Sequence, residues 1–219
     1  MERHHRWRLD DTEAKRSMKI QSAEFIKSAT QPSNYPDDRF PEVAFIGRSN
    51  VGKSSLINRL VLRSHLAKTS NTPGRTQLIN FFFINKRYVF VDLPGYGYAR
   101  VPDAVRRNWG PMVEAYLKGR RNLRLVVLIM DIRRDLIGGD LDLLAWLREQ
   151  AIPVLPVFTK VDKLSKNQVR VREKKIMDIL TLPDGPAPIL FSAKTGQGRE
   201  AVWAFIENLP WVEKGSGNS

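Results

Sequence analysis

The sequence predicts a three-layer α/β/α fold: a mostly parallel six-stranded sheet with one antiparallel edge strand, covered by helices on both faces. From Pro41 onward, short runs rich in β-branched and aromatic residues alternate with stretches of helical periodicity. These runs are nearly continuous in apolar residues, as is typical of buried parallel strands. Two neighbouring runs, LINFFFI and YVFVDL, flank Asn85 and Lys86, which predicts an antiparallel hairpin at the edge.

Three regions follow one another along the chain. Residues 1–38 are predicted to be a partly flexible extension, helical around 23–28, that ends in the connector QPSNYPDD. Residues 39–212 are predicted to be a single domain and residues 213–219 a disordered tail. The predicted strands within the domain are 43–46, 78–84, 88–93, 123–130, 153–158 and 188–191. The predicted helices are 54–62, 104–117, 140–150, 167–180 and 199–208.

Composition excludes several classes of protein. The chain of 219 residues contains no cysteine, which excludes disulfide scaffolds, thiolate metal sites and cysteine nucleophiles. The apolar run at 125–130 is far shorter than the roughly 20 residues of a membrane-spanning helix, and no apolar signal segment opens the chain. We therefore expect a cytoplasmic protein that does not span a membrane. The net charge of +13 favours a polyanionic partner, with nucleic acid as the first candidate.

A phosphate-binding loop is predicted directly after the first strand. The segment GRSNVGKSSL matches G-x-x-x-x-G-K-S, with Gly47, Gly52, Lys53 and Ser54 at the defining positions. The glycines let backbone N–H groups turn toward phosphates, Lys53 reaches the β- and γ-oxygens, and the Ser54 hydroxyl coordinates magnesium. We include the whole segment as candidate nucleotide contacts: Gly47, Arg48, Ser49, Asn50, Val51, Gly52, Lys53, Ser54 and Ser55.

Two further segments are predicted to meet the γ-phosphate and its metal. Asp92 ends a predicted strand in DLPG, so that its carboxylate reaches magnesium through water while the Gly95 amide meets the γ-phosphate. Thr76 lies in TPGRTQL, between the two motifs, and its hydroxyl completes the magnesium shell as an ordering switch would require. Lys53, Thr76 and Gly95 are the candidate catalytic residues. The remaining candidate contacts of these segments are Gly74, Arg75, Gln77, Leu78, Leu93 and Pro94.

Two motifs favour guanine as the base. In TKVD, the Asp162 carboxylate pairs with the N1 and 2-amino donors of guanine, a donor pair that adenine lacks. In FSAKTGQG, the Ala193 amide is available to the guanine carbonyl oxygen. Either segment alone is also compatible with an ordinary charged or glycine-rich loop. The candidate base contacts are Thr159, Lys160, Val161, Asp162, Phe191, Ser192, Ala193 and Lys194.

Taken in order, GRSNVGKSS, TPGRTQLIN, DLPGYGYA, TKVDK and SAK resemble the EngB (YihA/YsxC) family of bacterial GTPases, within the TRAFAC class of P-loop GTPases. The resemblance covers roughly residues 25–210. It implies a small GTPase-like G domain and a Mg²⁺-dependent protein that binds GTP and GDP and serves large (50S) ribosomal subunit assembly. It also implies a link to cell division and septation. Thr159 stands where most GTPases have Asn, although TKxD is the form this family uses.

Two positions bear on hydrolysis. Small GTPases often orient the attacking water with a Gln directly after the DxxG glycine, and here that residue is Tyr96. We therefore expect slow intrinsic hydrolysis that a partner accelerates. Asn50 either helps to hold K⁺ against the phosphates, as in some related GTPases, or stabilises the loop turn. A GTP-binding module with negligible hydrolysis and a P-loop ATPase or kinase stay open as alternatives.

Basic residues concentrate in two windows, which indicates an RNA-binding surface. Residues 86–134 carry a net charge of +7 and residues 160–175 a net charge of +5. We expect a monomeric protein, and the family resemblance implies that its partner is the large ribosomal subunit or its precursor, including rRNA and ribosomal proteins. The candidates for phosphate contacts are Arg106, Arg107, Arg120, Arg121, Arg170, Lys174 and Lys175, with Trp109 and Tyr98 as stacking surfaces.

Overall fold

A seven-stranded sheet forms the middle layer of the protein in the computed structural model. The structure describes residues 18–67, 78–95, 103–136, 138–180 and 185–209, with the backbone alone at 103–109. The strands are β1 (Ala23–Ala29), β2 (Glu42–Gly47), β3 (Ile79–Ile84), β4 (Tyr88–Asp92), β5 (Leu123–Asp131), β6 (Val154–Thr159) and β7 (Ile189–Leu190). The helices are α1 (Lys53–Leu60), α2 (Asp103–Gly119), α3 (Gly138–Glu149), α4 (Lys166–Ile179) and α5 (Arg199–Glu207).

The strand order is β1-β3-β4-β2-β5-β6-β7. Strand β2 is parallel to both β4 and β5, and β6 and β7 continue the parallel part. After β2, the chain therefore adds β3 and β4 on one side of β2 and then crosses to add β5 on the other side of β2. Such a switch point opens a crevice at the carboxyl end of the central strand, where open α/β sheets bind their ligands.

Alternate residues of the central strands supply two separate cores, one on each face of the sheet. Val43 and Phe45 of β2 belong to the core that α1 and α5 cover, where Trp203 is fully buried. Ala44 and Ile46 belong to the core beneath α2, α3 and α4. Burial on both faces explains why the strands are apolar throughout rather than alternating. The predicted three-layer α/β/α fold is confirmed.

The prediction of six strands and of helix around residues 23–28 is wrong. This segment is β1, which pairs antiparallel with β3 and adds a seventh strand at the edge. Its sequence AEFIKSA contains helix-favouring Ala, Glu and Lys, but the open edge of β3 offers it a full row of backbone partners. A bulge between Phe25 and Lys27 interrupts the alternation that would have marked a strand in the sequence.

The predicted hairpin between β3 and β4 is confirmed. Its turn places Asn85 and Lys86 at φ values of 52° and 52°, the left-handed conformation that a type I′ turn requires. The Asn85 side chain also holds the incoming chain, because its oxygen accepts from the N–H of Gln21 at 2.7 Å and its nitrogen donates to Lys19 O at 2.7 Å. The strand β3 is therefore an inner strand between β1 and β4, and not the edge.

Candidate nucleotide-binding site

The loop between β2 and α1 is shaped by glycines at its two ends. A Cβ atom added at Gly47 would lie 2.5 Å from the carbonyl oxygen of Ile129, so only glycine lets β2 pass this close to β5. Gly52 has a φ of 101° and is the N-cap of α1, where it offers no side chain to bond the first-turn N–H groups. The free N–H groups and the helix dipole therefore favour an anion at this point.

The lysine of the loop lies against the aspartate at the end of β4. Lys53 Nζ donates to Asp92 Oδ1, and the two side chains are 11% and 6% exposed. The parallel register of β2 and β4 brings them together, since it aligns Phe45 with Asp92. The Leu93 N–H continues the pairing to Phe45 O at 3.0 Å, which fixes the direction in which the DLPG segment leaves the sheet.

Gly95 completes this side of the site by a close approach to the loop. A Cβ atom at Gly95 would lie 3.0 Å from Ser49 Oγ and 3.2 Å from Gly47 O. A larger residue would therefore press on the loop itself. The predicted phosphate-side residues Gly47, Ser49, Lys53, Asp92 and Gly95 lie together in the structure.

The segment after β6 crosses the other side of the same loop. Thr159 is buried, and its hydroxyl donates toward Val51 O of the loop and lies 3.1 Å from Met130 O. Lys160 has a φ of 64° and begins a short 3₁₀ helix at Val161–Lys163. Its Nζ donates to Asn50 O at 2.6 Å. The base-side segment is therefore tied to the phosphate-side loop at two points.

Asp162 and Ser192 meet beyond these contacts. The Ser192 hydroxyl donates to Asp162 Oδ1 at 2.7 Å and accepts from the Thr195 N–H at 3.1 Å. Lys163 Nζ is 3.9 Å from the other carboxylate oxygen, Asp162 Oδ2, and the Asp162 side chain is 11% exposed. The Phe191 N–H donates to Phe158 O at 2.7 Å, which brings the segment FSAK beside TKVD. Ala193, which is half-buried, and Lys194, which is exposed, follow.

Asp131, which the sequence analysis did not single out, is part of the same site. It ends β5 opposite Thr159 in the parallel register and lies 3.0 Å from Lys160 Nζ. Burial disfavours its charge, but hydrogen bonds from Arg133 and Lys160 outweigh burial and lower the pKa of Asp131 from 3.8 to about 2. An acidic residue at the carboxyl end of a strand next to TKVD was the signal that could have identified it.

Several predicted residues are only partly described or lie elsewhere. Gly74, Arg75, Thr76 and Gln77 fall outside the described residues, as do Tyr96 and Tyr98. Arg106, Arg107 and Trp109 lie in α2, where the backbone alone is described. Leu78 is exposed and directly precedes β3. Arg48, Ser54 and Ser55 lie at the surface of the loop and of the first turn of α1, half-buried or exposed.

The prediction that Arg120 contacts RNA is wrong. Its side chain is 11% exposed, and its guanidinium donates to the fully buried Glu42, with NH2 2.7 Å from Oε1 and Nε 3.0 Å from Oε2. The same carboxylate accepts from the Tyr116 hydroxyl at 2.7 Å. Burial, followed by the charge of Glu42, raises the pKa of Tyr116 well above 10.0. Arg120 is therefore an internal partner of Glu42.

The other candidate cations that the structure describes remain on the surface. Arg121, Arg170 and Lys174 are exposed. Lys175 shares the exposed Asp135 carboxylate with Arg172, at 2.7 Å and 2.6 Å. In the described parts of the chain, no helix is long and apolar enough to cross a membrane.

Comparisons with known proteins identify the family of this chain. Residues 42–160 match the model of a family described as 50S ribosome-binding GTPase. A protein of Syntrophus aciditrophicus named probable GTP-binding protein EngB is 59% identical over 84% of this chain and 93% of its own length. A protein of the same name from Geobacter sulfurreducens is 56% identical over 87% of this chain and 92% of its own.

Solved structures show the same fold. A crystal structure of a probable GTP-binding protein engB superimposes with a TM-score of 0.60 at 28% identity, over 76% of this chain and 97% of that one. The structure of Era in complex with MgGDPNP and nucleotides 1506–1542 of 16S ribosomal RNA has a TM-score of 0.63 at 21% identity. It covers 80% of this chain and 58% of the Era chain, and at this identity the likeness concerns the fold alone.

Proposed function

This chain belongs to the EngB family of GTP-binding proteins, and on that premise we propose that it is a Mg²⁺-dependent GTPase that assists assembly of the large (50S) ribosomal subunit. The observation that carries the nucleotide assignment is the convergence of two motifs on one loop. Lys53 and Asp92 pair on one side of the loop, while Thr159 and Lys160 bond Val51 and Asn50 on the other. A single ligand with phosphates at one end and a purine at the other fits this arrangement.

The phosphate side suits a nucleotide with magnesium. Lys53 neutralises Asp92, because a buried carboxylate requires a positive charge beside it. Ser54, Asp92 and Thr76 would supply the oxygen atoms that a hard cation such as Mg²⁺ prefers, and Asp92 would act through water. The metal would neutralise charge on the phosphate oxygens. Lys53 and the free N–H groups of α1 would hold the β- and γ-phosphates, and Gly95 would meet the γ-phosphate with its amide.

The base side suits guanine. One carboxylate oxygen of Asp162 is already fixed by Ser192 at 2.7 Å, which orients the group before a base arrives. Guanine would donate its N1 and 2-amino hydrogens to Asp162 and accept a hydrogen bond from the Ala193 amide. Phe191 and Lys194 lie at the two ends of the segment FSAK, which would contact the base. Adenine would leave the mostly buried carboxylate with the Ser192 hydroxyl but without the pair of donors from the base, a mismatch that costs affinity.

Hydrolysis by the isolated protein should be slow, because Tyr96 stands where an orienting Gln is usual. We expect turnover on the order of 10⁻³ s⁻¹ or slower, with acceleration on the partner. The φ of 63° at Asn50 gives this residue a structural reason to be Asn, since Asn tolerates the left-handed conformation. A role in holding K⁺ is tested separately by comparing turnover in potassium and in sodium, where equal rates would end it.

In this proposal the partner is the large ribosomal subunit or its precursor. The protein acts as a monomer in the cytoplasm and binds this partner through rRNA and ribosomal proteins. This assignment rests on the family description and on the excess of positive charge. Arg170 and Lys174 on α4, together with Arg121, are exposed and suited to phosphate contacts. A defect in cell division and septation would follow from loss of this activity.

A ribosomal role predicts that the purified large subunit binds the protein more tightly with a non-hydrolysable GTP analogue than with GDP. Replacing both Arg170 and Lys174 by alanine should weaken binding and flatten its dependence on salt. Changing Glu173 and Asp178 of the same helix to their amides is the matched control and should not weaken binding. Binding by the alanine variant that matches the wild type in both affinity and salt dependence would contradict the assignment of α4.

Two alternatives are separated by one set of measurements. A P-loop ATPase or kinase would bind ATP at least as well as GTP, and a non-hydrolysing module would bind GTP without releasing phosphate. Titration with GTP, GDP and ATP, followed by a phosphate-release assay, distinguishes both from the proposed GTPase.

A further inference from the structure

Lys160 spans the gap between the strand ends and the phosphate-binding loop. Its Nζ lies 2.6 Å from Asn50 O and 3.0 Å from Asp131 Oδ2. Its Cε is 3.7 Å from the point where a Cβ on Gly52 would be. The methylene stem of Lys160 therefore runs across the loop close to Gly52.

A free lysine side chain would not hold this position by itself. Lysine has four rotatable bonds, and ordering them costs up to about 2 kcal/mol of conformational entropy. The contact with Asn50 O is a single hydrogen bond to a neutral acceptor. In the described part of the chain, Asp131 is the one carboxylate that forms an ion pair with Lys160.

Asp131 is itself held rigidly. Its side chain is 1% exposed, and Arg133 grips it with two parallel hydrogen bonds, Nε to Oδ1 at 2.9 Å and NH2 to Oδ2 at 2.7 Å. The backbone N–H of Arg133 donates to Oδ1 as well, at 3.1 Å. Such bidentate, charge-assisted contacts fix both the position and the ionised state of the carboxylate. Oδ2 therefore offers Lys160 a stationary anchor.

We propose that Asp131 is a positioning residue for the nucleotide, which acts by locking Lys160 across the phosphate-binding loop so that its stem supports one face of the purine. The proposal deepens the GTP-binding function and rests on it. Asp131 does not touch the nucleotide, so its effect on affinity passes entirely through Lys160. Asp162, by contrast, reads the hydrogen-bonding edge of the base directly.

The different roles of Asp131 and Asp162 predict different effects on nucleotide affinity. Removing the anchor should weaken guanosine and inosine nucleotides by the same factor, because both present the same purine face. Asp131→Asn should therefore lower the affinity for GDP and for IDP about tenfold each, the loss expected for one charge-assisted contact. Asp162→Asn should change the ratio between the two, since IDP lacks the 2-amino donor.

The test is a double-mutant cycle on GDP affinity, measured by calorimetry on the full chain with Asp131→Asn, Lys160→Ala and both together. If Asp131 acts through Lys160, the double variant should bind GDP no more weakly than Lys160→Ala alone. Asp135→Asn is the matched control. It removes a carboxylate from the same loop that pairs with Arg172 and Lys175 instead, and it should leave GDP affinity unchanged.

Thermal unfolding of each variant distinguishes weakened binding from failed folding. Should Asp131→Asn fail to fold, Arg133→Gln loosens the same carboxylate from a 41% exposed position and should weaken GDP and IDP by an equal, smaller factor. The proposal is overturned if Asp131→Asn binds GDP as the wild type does while Lys160→Ala does not, or if the two losses multiply. If Lys160→Ala binds GDP as tightly as the wild type does, Lys160 does not contribute to the guanine site, and the proposal is overturned as well.

Discussion

The buried contact between Glu42 and Arg120 allows the sharpest prediction about stability. Glu42 is fully buried at the start of β2, and Arg120, just after α2, supplies its opposite charge through two hydrogen bonds. Two more bonds, from Arg120 NH2 to Pro36 O at 2.7 Å and to Asp37 O at 3.4 Å, tie the connector before β2 to the same group. Arg120→Met keeps the apolar stem but removes the charge and all four bonds.

The size of the effect follows from burial. With side chains 11% and 0% exposed, solvent screens this pair little, and removing one partner leaves an uncompensated buried carboxylate. Breaking such a pair costs about 3–5 kcal/mol, whereas an exposed pair is worth about 0.5 kcal/mol. The exposed pair of Lys118 and Glu114, 47% and 51% accessible, provides the comparison within α2.

The assay is urea unfolding of the wild type, Arg120→Met and the control Glu114→Gln. We expect the free energy of unfolding to fall by about 3–5 kcal/mol in Arg120→Met and by no more than about 0.5 kcal/mol in the control. A double variant with Glu42→Leu should recover part of the loss, because no buried charge remains unpaired. A loss below about 1 kcal/mol in Arg120→Met would refute the assignment of Arg120 as an internal partner.

Three further predictions follow from single contacts. Gly47→Ala should abolish nucleotide binding or destabilise the fold, since its Cβ would lie 2.5 Å from a carbonyl oxygen of β5; an unchanged melting temperature with normal GDP affinity would contradict this. Asp162→Asn should weaken GDP at least about 100-fold and favour xanthosine diphosphate, as measured by competition binding. Asp131 has a folded pKa of about 2 against an ordinary 3.8, so it stabilises the fold fully above pH 3.8 and loses this contribution as the pH falls through about 2. The difference in unfolding free energy between the wild type and Asp131→Asn should therefore shrink by roughly 2 kcal/mol between pH 5 and pH 2, and a constant difference would count against the ion pairs of Asp131.

Local patterns were sufficient for the parallel part of the fold and for the motifs of the site. Each predicted strand from β2 to β7 and each helix was placed within about two residues, because periodicity, glycines and turn residues act over short distances. The turn at Asn85 and Lys86 is such a case. The loop after β2 is a second case, because the spacing of its glycines identifies it from the sequence without any tertiary information.

Features that depend on distant partners were missed. The segment of β1 is a strand because β3, more than 50 residues later in the chain, offers an open edge, and its composition alone favours helix. Arg120 belongs to the basic window at 86–134, but its side chain is mostly buried because it pairs with Glu42, 78 positions earlier in the chain. Asp131 meets Lys160 only because β5 and β6 are parallel and in register. Pairing of this kind is a property of the fold and not of a sequence window.

The central claim is that one nucleotide spans the loop between Lys53 and Asp162 and that its base is guanine. Calorimetric titration of the wild-type chain with GDP and with ADP, in the presence of Mg²⁺, tests it most directly. We predict one binding site per chain and at least about 100-fold tighter binding of GDP than of ADP. Equal affinities for the two nucleotides, or no binding of GDP, would contradict the account.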